Sequence, residues 1–310
     1  MRPMPSHKKP PTPAAPRPIR RVACAAFSGR VPPPRLQAGL DFLQAQGLEV
    51  KVFMPPMPLE YLAGTDDQRA QCLAQAATWI NECNGEGPGE GLVLAIRGGY
   101  GAARALTDTE FNAPASRLMG FSDVSALFPH LSLTCGWDCW HGPNVCTLPQ
   151  LDAPSRQAFL DFLAGTAPAV PPLTGLETLA PGRAQGPLLC LNLSVLLSIL
   201  GTPLAPPLNG VVLALEDTNE APYRLDRLFW QLLQHRDARG IGALVLGDLG
   251  APMPPDLRVL LANQARARGI PVLTGLPLGH GAENMPFQQL ATVTVDASPG
   301  CPGTLRAGQR

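Results

Sequence analysis

Four stretches of the chain place reactive side chains directly after short apolar runs. Arg97-Gly-Gly-Tyr-Gly101 follows Gly91–Ile96, and Ser122-Asp123 follows Leu118–Phe121 within Gly-Phe-Ser-Asp. Glu216-Asp217 follows Val211–Leu215, and Pro271–Leu273 leads through Gly275-Leu-Pro-Leu-Gly279 to His280. If the apolar runs are parallel strands, these residues gather outside the carboxyl ends, where the crevice of an open α/β sheet lies. The set offers a hydroxyl, a carboxylate, an imidazole and a glycine loop, which suits acyl transfer through a serine nucleophile.

Each signal has a plainer reading. Ser122 sits between a strand and a predicted helix, as in a nucleophile elbow, but Val124 stands where a G-x-S-x-G pattern needs glycine. By pattern alone Ser122 is either a helix N-cap or a nucleophile. Glu216 could be a solvated carboxylate or pair with Arg224 or Arg227, and His280 could be an ordinary loop histidine. The glycines at 98, 99 and 101 could equally form a phosphate-binding turn, although no Gly-Lys-Ser/Thr follows them. Cys135, Cys139 and Cys146, with His141, match no zinc-ligand spacing and are read as core thiols, so no metal or other cofactor is expected.

The elements that must position these groups alternate. Arg21–Ala25, Leu48–Phe53, Gly91–Ile96 and Leu118–Phe121 read as strands. Helices are expected near Pro34–Gln46, over Asp66–Asn81 with Thr65 as N-cap, over Asp123–Leu131 and over Ala158–Leu163. A second unit follows, with helices at Asn192–Leu200, Tyr223–His235 and Pro255–Arg268 and strands at Val211–Leu215, Ala243–Leu246 and Pro271–Leu273. The expected organisation is a disordered Pro-rich tail (1–19), an N-terminal α/β domain (20–163), a Pro/Gly/Thr-rich linker (164–186) and a C-terminal α/β domain (187–310).

Composition narrows the function classes. The 310 residues carry 24 basic and 24 acidic side chains, so no net field draws the chain to nucleic acid or an anionic membrane. The apolar runs are strand-length, far below the ~18 residues of a membrane span. The N-terminal stretch has no apolar core of a secretory signal, and the eight scattered cysteines suit reduced thiols, so a cytoplasmic location is expected.

Taken in order, these motifs carry a resemblance. Tyr61-Leu-Ala-Gly-Thr-Asp-Asp-Gln-Arg69, Arg97-Gly-Gly-Tyr-Gly-Ala-Ala-Arg104, Gly120-Phe-Ser-Asp-Val-Ser-Ala-Leu127, His141-Gly-Pro143, Leu215-Glu-Asp217, Glu220-Ala-Pro-Tyr-Arg-Leu-Asp-Arg227 and Gly279-His280 resemble the serine LD-carboxypeptidases. That family also holds the microcin C immunity hydrolases. The resemblance implies a flavodoxin-like N-terminal domain, a C-terminal α/β domain, a homodimer and a Ser–His–Glu triad built across the two domains. It makes Ser122 the nucleophile, His280 the base and Glu216 the acidic member, with the backbone N–H groups of Gly99 and Asp123 as oxyanion donors. It implies hydrolysis of a muropeptide between an L-centre of a diamino acid and a terminal D-Ala. Arg97, Arg104 and Arg224 are candidates for holding the terminal carboxylate, each read first as a structural ion pair.

The chain departs from the family pattern at Cys190-Leu191, where Gly-Gly is usual before Asn192-Leu193. It departs again at Asn284-Met-Pro-Phe-Gln-Gln-Leu290, about two residues short of the usual strand, and at Ser125, where Thr is usual. The rival readings are a microcin-like aminoacyl-nucleotide amide hydrolase, a non-catalytic muropeptide-binding protein and a nucleotide binder using the Arg97–Gly101 loop.

Overall fold

The computed structural model describes residues 17–82, 90–107 and 111–308. The first layer is a sheet of parallel strands β1 (Arg21–Ala25), β2 (Glu49–Phe53), β3 (Gly91–Ala95), β4 (Arg117–Gly120) and β5 (Asp138–His141). Their order is β5-β4-β3-β1-β2, the flavodoxin-like arrangement. The helices that follow them in turn are α1 (Pro33–Ala45), α2 (Asp66–Asn81), α3 (Ala102–Thr107), α4 (Phe128–Leu133) and α5 (Ala153–Leu163). β3 is buried along its whole length because helices cover both faces, so it reads as an unbroken apolar run and not as an alternating one. Thr65 opens α2 with a reciprocal capping box to Gln68.

The second layer is a closed barrel. It consists of β6 (Leu173–Ala180), β7 (Gly182–Asn192), β8 (Val212–Glu216), β9 (Ala243–Leu246), β10 (Val272–Thr274), β12 (Thr292–Ala297) and β13 (Gly303–Ala307), in the order β10-β6-β13-β12-β7-β8-β9. The run β7-β8-β9-β10 is parallel, and β6, β12 and β13 close it with antiparallel pairs. Side chains alternate. Leu188, Cys190, Val212, Ala214 and Val245 join one core with Val293 and Val295 of the antiparallel wall. Leu189, Leu191, Leu213, Leu215 and Leu246 join a second core with Phe229 of α7 (Pro222–Gln234) and Leu261 of α8 (Pro255–Arg266). The short α6 (Leu193–Ile199) leads directly off β7. Among the described residues no helix is long and apolar enough to cross a membrane.

Two expected boundaries are corrected, and the two units are joined by a shared strand pair. The stretch 164–186 is not a linker, because it holds β6 and the first residues of β7, whose Pro, Gly and Thr content suits half-exposed strands of the barrel wall. Residues 1–16 of the expected tail lie outside the described residues, but Ile19 is buried and its N–H donates to Leu163 O, so the first domain starts before Arg20. The C-terminal unit is also not self-contained. Its β11 (Phe287–Gln288) leaves the barrel and pairs antiparallel with β5 at the edge of the first sheet.

Candidate active site

The sheet order changes direction between β1 and β3, and the turns after these strands meet there. Gly29 N–H donates to Gly98 O at 3.2 Å, and Arg97 donates through Nη1 to Arg30 O and through Nε to Gly98 O. Gly98 abuts Ser122 so closely that a β-carbon on it would stand 2.7 Å from Ser122 Cβ and 2.9 Å from Oγ. Only glycine allows that approach.

Ser122 follows β4 and opens a 3-10 helix, Ser122–Leu127, with φ +64°, a left-handed conformation that costs a non-glycine residue energy and lifts its side chain out of the turn. The residue at the N-cap position is Phe121, and no side chain caps this helix. The hydroxyl instead faces the second domain. Ser122 Oγ lies 3.1 Å from His280 Nε2, and His280 Nδ1 lies 2.7 Å from Glu216 Oε2. In the neutral imidazole Nδ1–H donates to the carboxylate and Nε2 accepts from the hydroxyl.

Glu216 ends β8 with no solvent exposure. Burial pushes its carboxyl above the usual range, opposed by the hydrogen bond and charge of His280 and by the Asn192 amide. Burial alone would pull His280 down, but the bond to Glu216 and the charges of Glu216, Asp217 and Asp248 outweigh it and hold the imidazole above its ordinary value of 6.5. Neighbouring groups brace the pair. Asp217 caps α6 by accepting from Ser194 N–H at 2.9 Å and also takes the Asn192 side-chain amide. Asp248 accepts from Gly281 N–H at 3.1 Å, next to the histidine.

The other predicted site residues separate. Asp123 turns its carboxylate away from the cleft, accepting from Ser28 Oγ at 2.6 Å and from Ala102 N–H at the start of α3 at 2.9 Å, which leaves its backbone beside Ser122. Gly99, at φ +125°, lies with Arg97, Tyr100, Arg30 and Tyr61 along an open cleft of about 480 Å³. Arg104 pairs with Asp66 at 2.6 Å and Arg224 with Glu220 at 3.2 Å, so of the three arginines only Arg97 borders this cleft. Among the described residues no three His, Cys, Asp or Glu side chains converge as metal ligands, and Cys135, Cys139 and Cys146 are free thiols.

Several residues of this neighbourhood were not singled out as site residues from the sequence. Arg69 is fully buried, bonding Asp66 and the carbonyls of Phe27, Gly64 and Gly101, and it anchors the glycine loop from behind. Ser28 follows β1, and the strand-end rule that found Ser122 would have found it too. The altered Cys190 sits inside the barrel, where the buried Gln289 side chain bonds both its N–H and its carbonyl, at 2.9 and 3.2 Å.

Comparison with known proteins identifies the family. Residues 19–142 match the LD-carboxypeptidase N-terminal domain and residues 185–295 the LD-carboxypeptidase C-terminal domain. A putative carboxypeptidase of Streptomyces coelicolor is 37% identical over 92% of this chain and 93% of its own. The murein tetrapeptide carboxypeptidase of Pseudomonas aeruginosa is 31% identical over 90% and 94%. The crystal structure of muramoyltetrapeptide carboxypeptidase from Oxalobacter formigenes superposes with a TM-score of 0.77 at 27% identity, covering 93% of this chain and 99% of that one. The microcin C7 self immunity protein MccF, in complex with aspartyl sulfamoyl adenosine, shares the fold at 19% identity and a TM-score of 0.79, covering 96% and 99%.

Proposed function

The chain belongs to the LD-carboxypeptidase family, serine carboxypeptidases, and from that premise we propose that it removes the terminal D-Ala of murein tetrapeptides by cleaving the amide to the L-centre of a diamino acid. The observation that carries the assignment of roles is the unbroken relay from Ser122 Oγ through His280 to the buried Glu216, with the hydroxyl on one domain and its partners on the other.

In this reading His280 Nε2 takes the Ser122 proton as Oγ bonds to the amide carbon. The backbone N–H groups of Gly99 and Asp123 receive the resulting oxyanion. The imidazolium, held by Glu216, gives its proton to the leaving nitrogen as the C–N bond breaks and D-Ala departs. Water then attacks the acyl ester, His280 takes its proton, and cleavage of the ester C–O bond returns the proton to Ser122 Oγ. Of the candidate arginines, Arg97 fits a substrate carboxylate best, because it lines the cleft and the other two do not. The reading extends to a cytoplasmic homodimer engaged in peptidoglycan recycling, with no nucleic-acid or membrane partner.

The test is D-Ala release from a disaccharide tetrapeptide by wild-type protein and by Ser122→Ala, with EDTA present. Release by the wild type alone supports the proposal, and equal release by both overturns the triad. If the wild type is silent on the muropeptide but cleaves an aminoacyl-nucleotide amide, the microcin-like alternative replaces it.

A further inference from the structure

His280 lies between two glycines, Gly279 and Gly281, and the first adopts φ +150° with Asp248 so near that a β-carbon would stand 2.6 Å from Asp248 Cβ. A backbone of this kind leaves the ring direction open, so packing must impose it from outside. The segment after the histidine is bonded to the first domain at successive points. Ala282 O accepts from Asp152 N–H, Asn284 N–H donates to Ser155 Oγ at 2.9 Å, and Phe287 pairs with His141 in the β11–β5 ladder. His141 meets this segment a second time, as its Nε2–H donates to Asn284 Oδ1 at 2.8 Å. That is the sole hydrogen bond of either side chain among the described residues, and both residues are fully buried.

Phe121 joins this clasp to the site. Its ring meets both imidazoles in T-shaped contacts, His280 at 4.9 Å and His141 at 5.9 Å between centroids. We infer that Phe121, His141 and Asn284 are positioning residues that set the angle of the His280 ring between Ser122 and Glu216, and that they make this angle depend on docking of the segment after His280 against the first domain. The inference rests on the assignment of His280 as the base. Burial holds the His141 imidazole down at about 3, so it remains a neutral donor throughout the working range and adds no charge beside His280. The charged groups acting on His280 are then Glu216 at the end of β8, Asp217 beside it and Asp248 after β9.

The experiment compares wild type, Phe121→Leu, His141→Leu and the conservative His141→Gln, whose amide nitrogen can replace Nε2. It measures kcat and KM on the tetrapeptide and the titration of the His280 imidazole by NMR. Both leucine variants are expected to lower kcat roughly 10- to 100-fold with KM within about threefold, and to move the His280 titration down toward its ordinary value. His141→Gln is expected to restore both. Leucine variants that melt like wild type yet keep its kcat and its His280 titration overturn the inference. Should His141→Leu not fold, Phe121→Leu decides alone, because it removes no hydrogen bond. Should wild type release no D-Ala, the catalytic reading fails, while the NMR titration still tests the positioning.

Discussion

The backbone N–H of Asn192 donates to Ser125 Oγ at 3.1 Å, joining the residue opposite Glu216 in the β7–β8 ladder to the short helix that begins at Ser122. Both partners are buried, so the bond is a direct tie between the two halves of the relay. Ser125→Ala leaves that N–H without an acceptor. The expected outcome is a loss of about 1–2 kcal/mol in denaturant unfolding, with reduced turnover.

Glu216→Gln keeps the volume of a fully buried side chain but presents the wrong partner to His280 Nδ1–H. It is expected to lower kcat by roughly 10³- to 10⁴-fold with little change in KM, as measured by steady-state kinetics on protein whose melting matches wild type.

The pH profile has a fixed sign. His280 must be neutral to accept the Ser122 proton, and its carboxylate neighbours hold it above 6.5. The rate therefore falls as pH drops through that raised value, and the acid limb of kcat/KM should lie above pH 6.5. His141, held down at about 3, contributes nothing to that limb. An acid limb at or below 6.5 would contradict the assignment of His280 as base.

Gly98→Ala tests the close approach behind the nucleophile. The added methyl collides with Ser122 Cβ and Oγ, so the serine must leave its place against the loop. Labelling of Ser122 by an organophosphonate should slow by at least about 100-fold, the scale of a 1 Å misplacement.

The three arginines should separate in substrate affinity. Arg104→Ala and Arg224→Ala break exposed pairs with Asp66 and Glu220 and are expected to leave KM within about twofold. Arg97→Ala removes a cleft side chain that also ties Gly98 to Arg30, and KM should rise by about 10-fold or more.

β1, β3 and β9 were legible as unbroken apolar runs because both of their faces are buried, whereas β5 and the parallel end of β7 were not read as strands. Arg21–Ala25 and Ala243–Leu246 agree with the sequence reading to the residue, and Asp66–Asn81 declares itself through Thr65. The serine, glutamate and histidine were singled out as residues that follow apolar runs, and their roles came only with the family resemblance. What stayed hidden was long-range. β6 and the start of β7 look like linker because a barrel wall with one wet face tolerates Pro, Gly and Thr. The two residues of β11 are too short to show a period, and β12 and β13 gain their meaning only by closing the barrel. The buried Arg69 looks like any surface charge until the carbonyls it serves are brought to it from three separate turns.

The crossing of β11 onto the first sheet also dictates a schedule for synthesis. Gln288 donates to Asp138 from 150 positions further along the chain. At roughly 5–20 residues per second, the outer edge of β5 emerges from the ribosome about 8–30 s before the strand that covers it. During that interval the nascent first domain presents an unpaired strand edge to its surroundings, the geometry that invites aggregation. The same delay keeps Ser122 without His280 until nearly the whole chain has been made, so the nucleophile stays silent in a growing polypeptide.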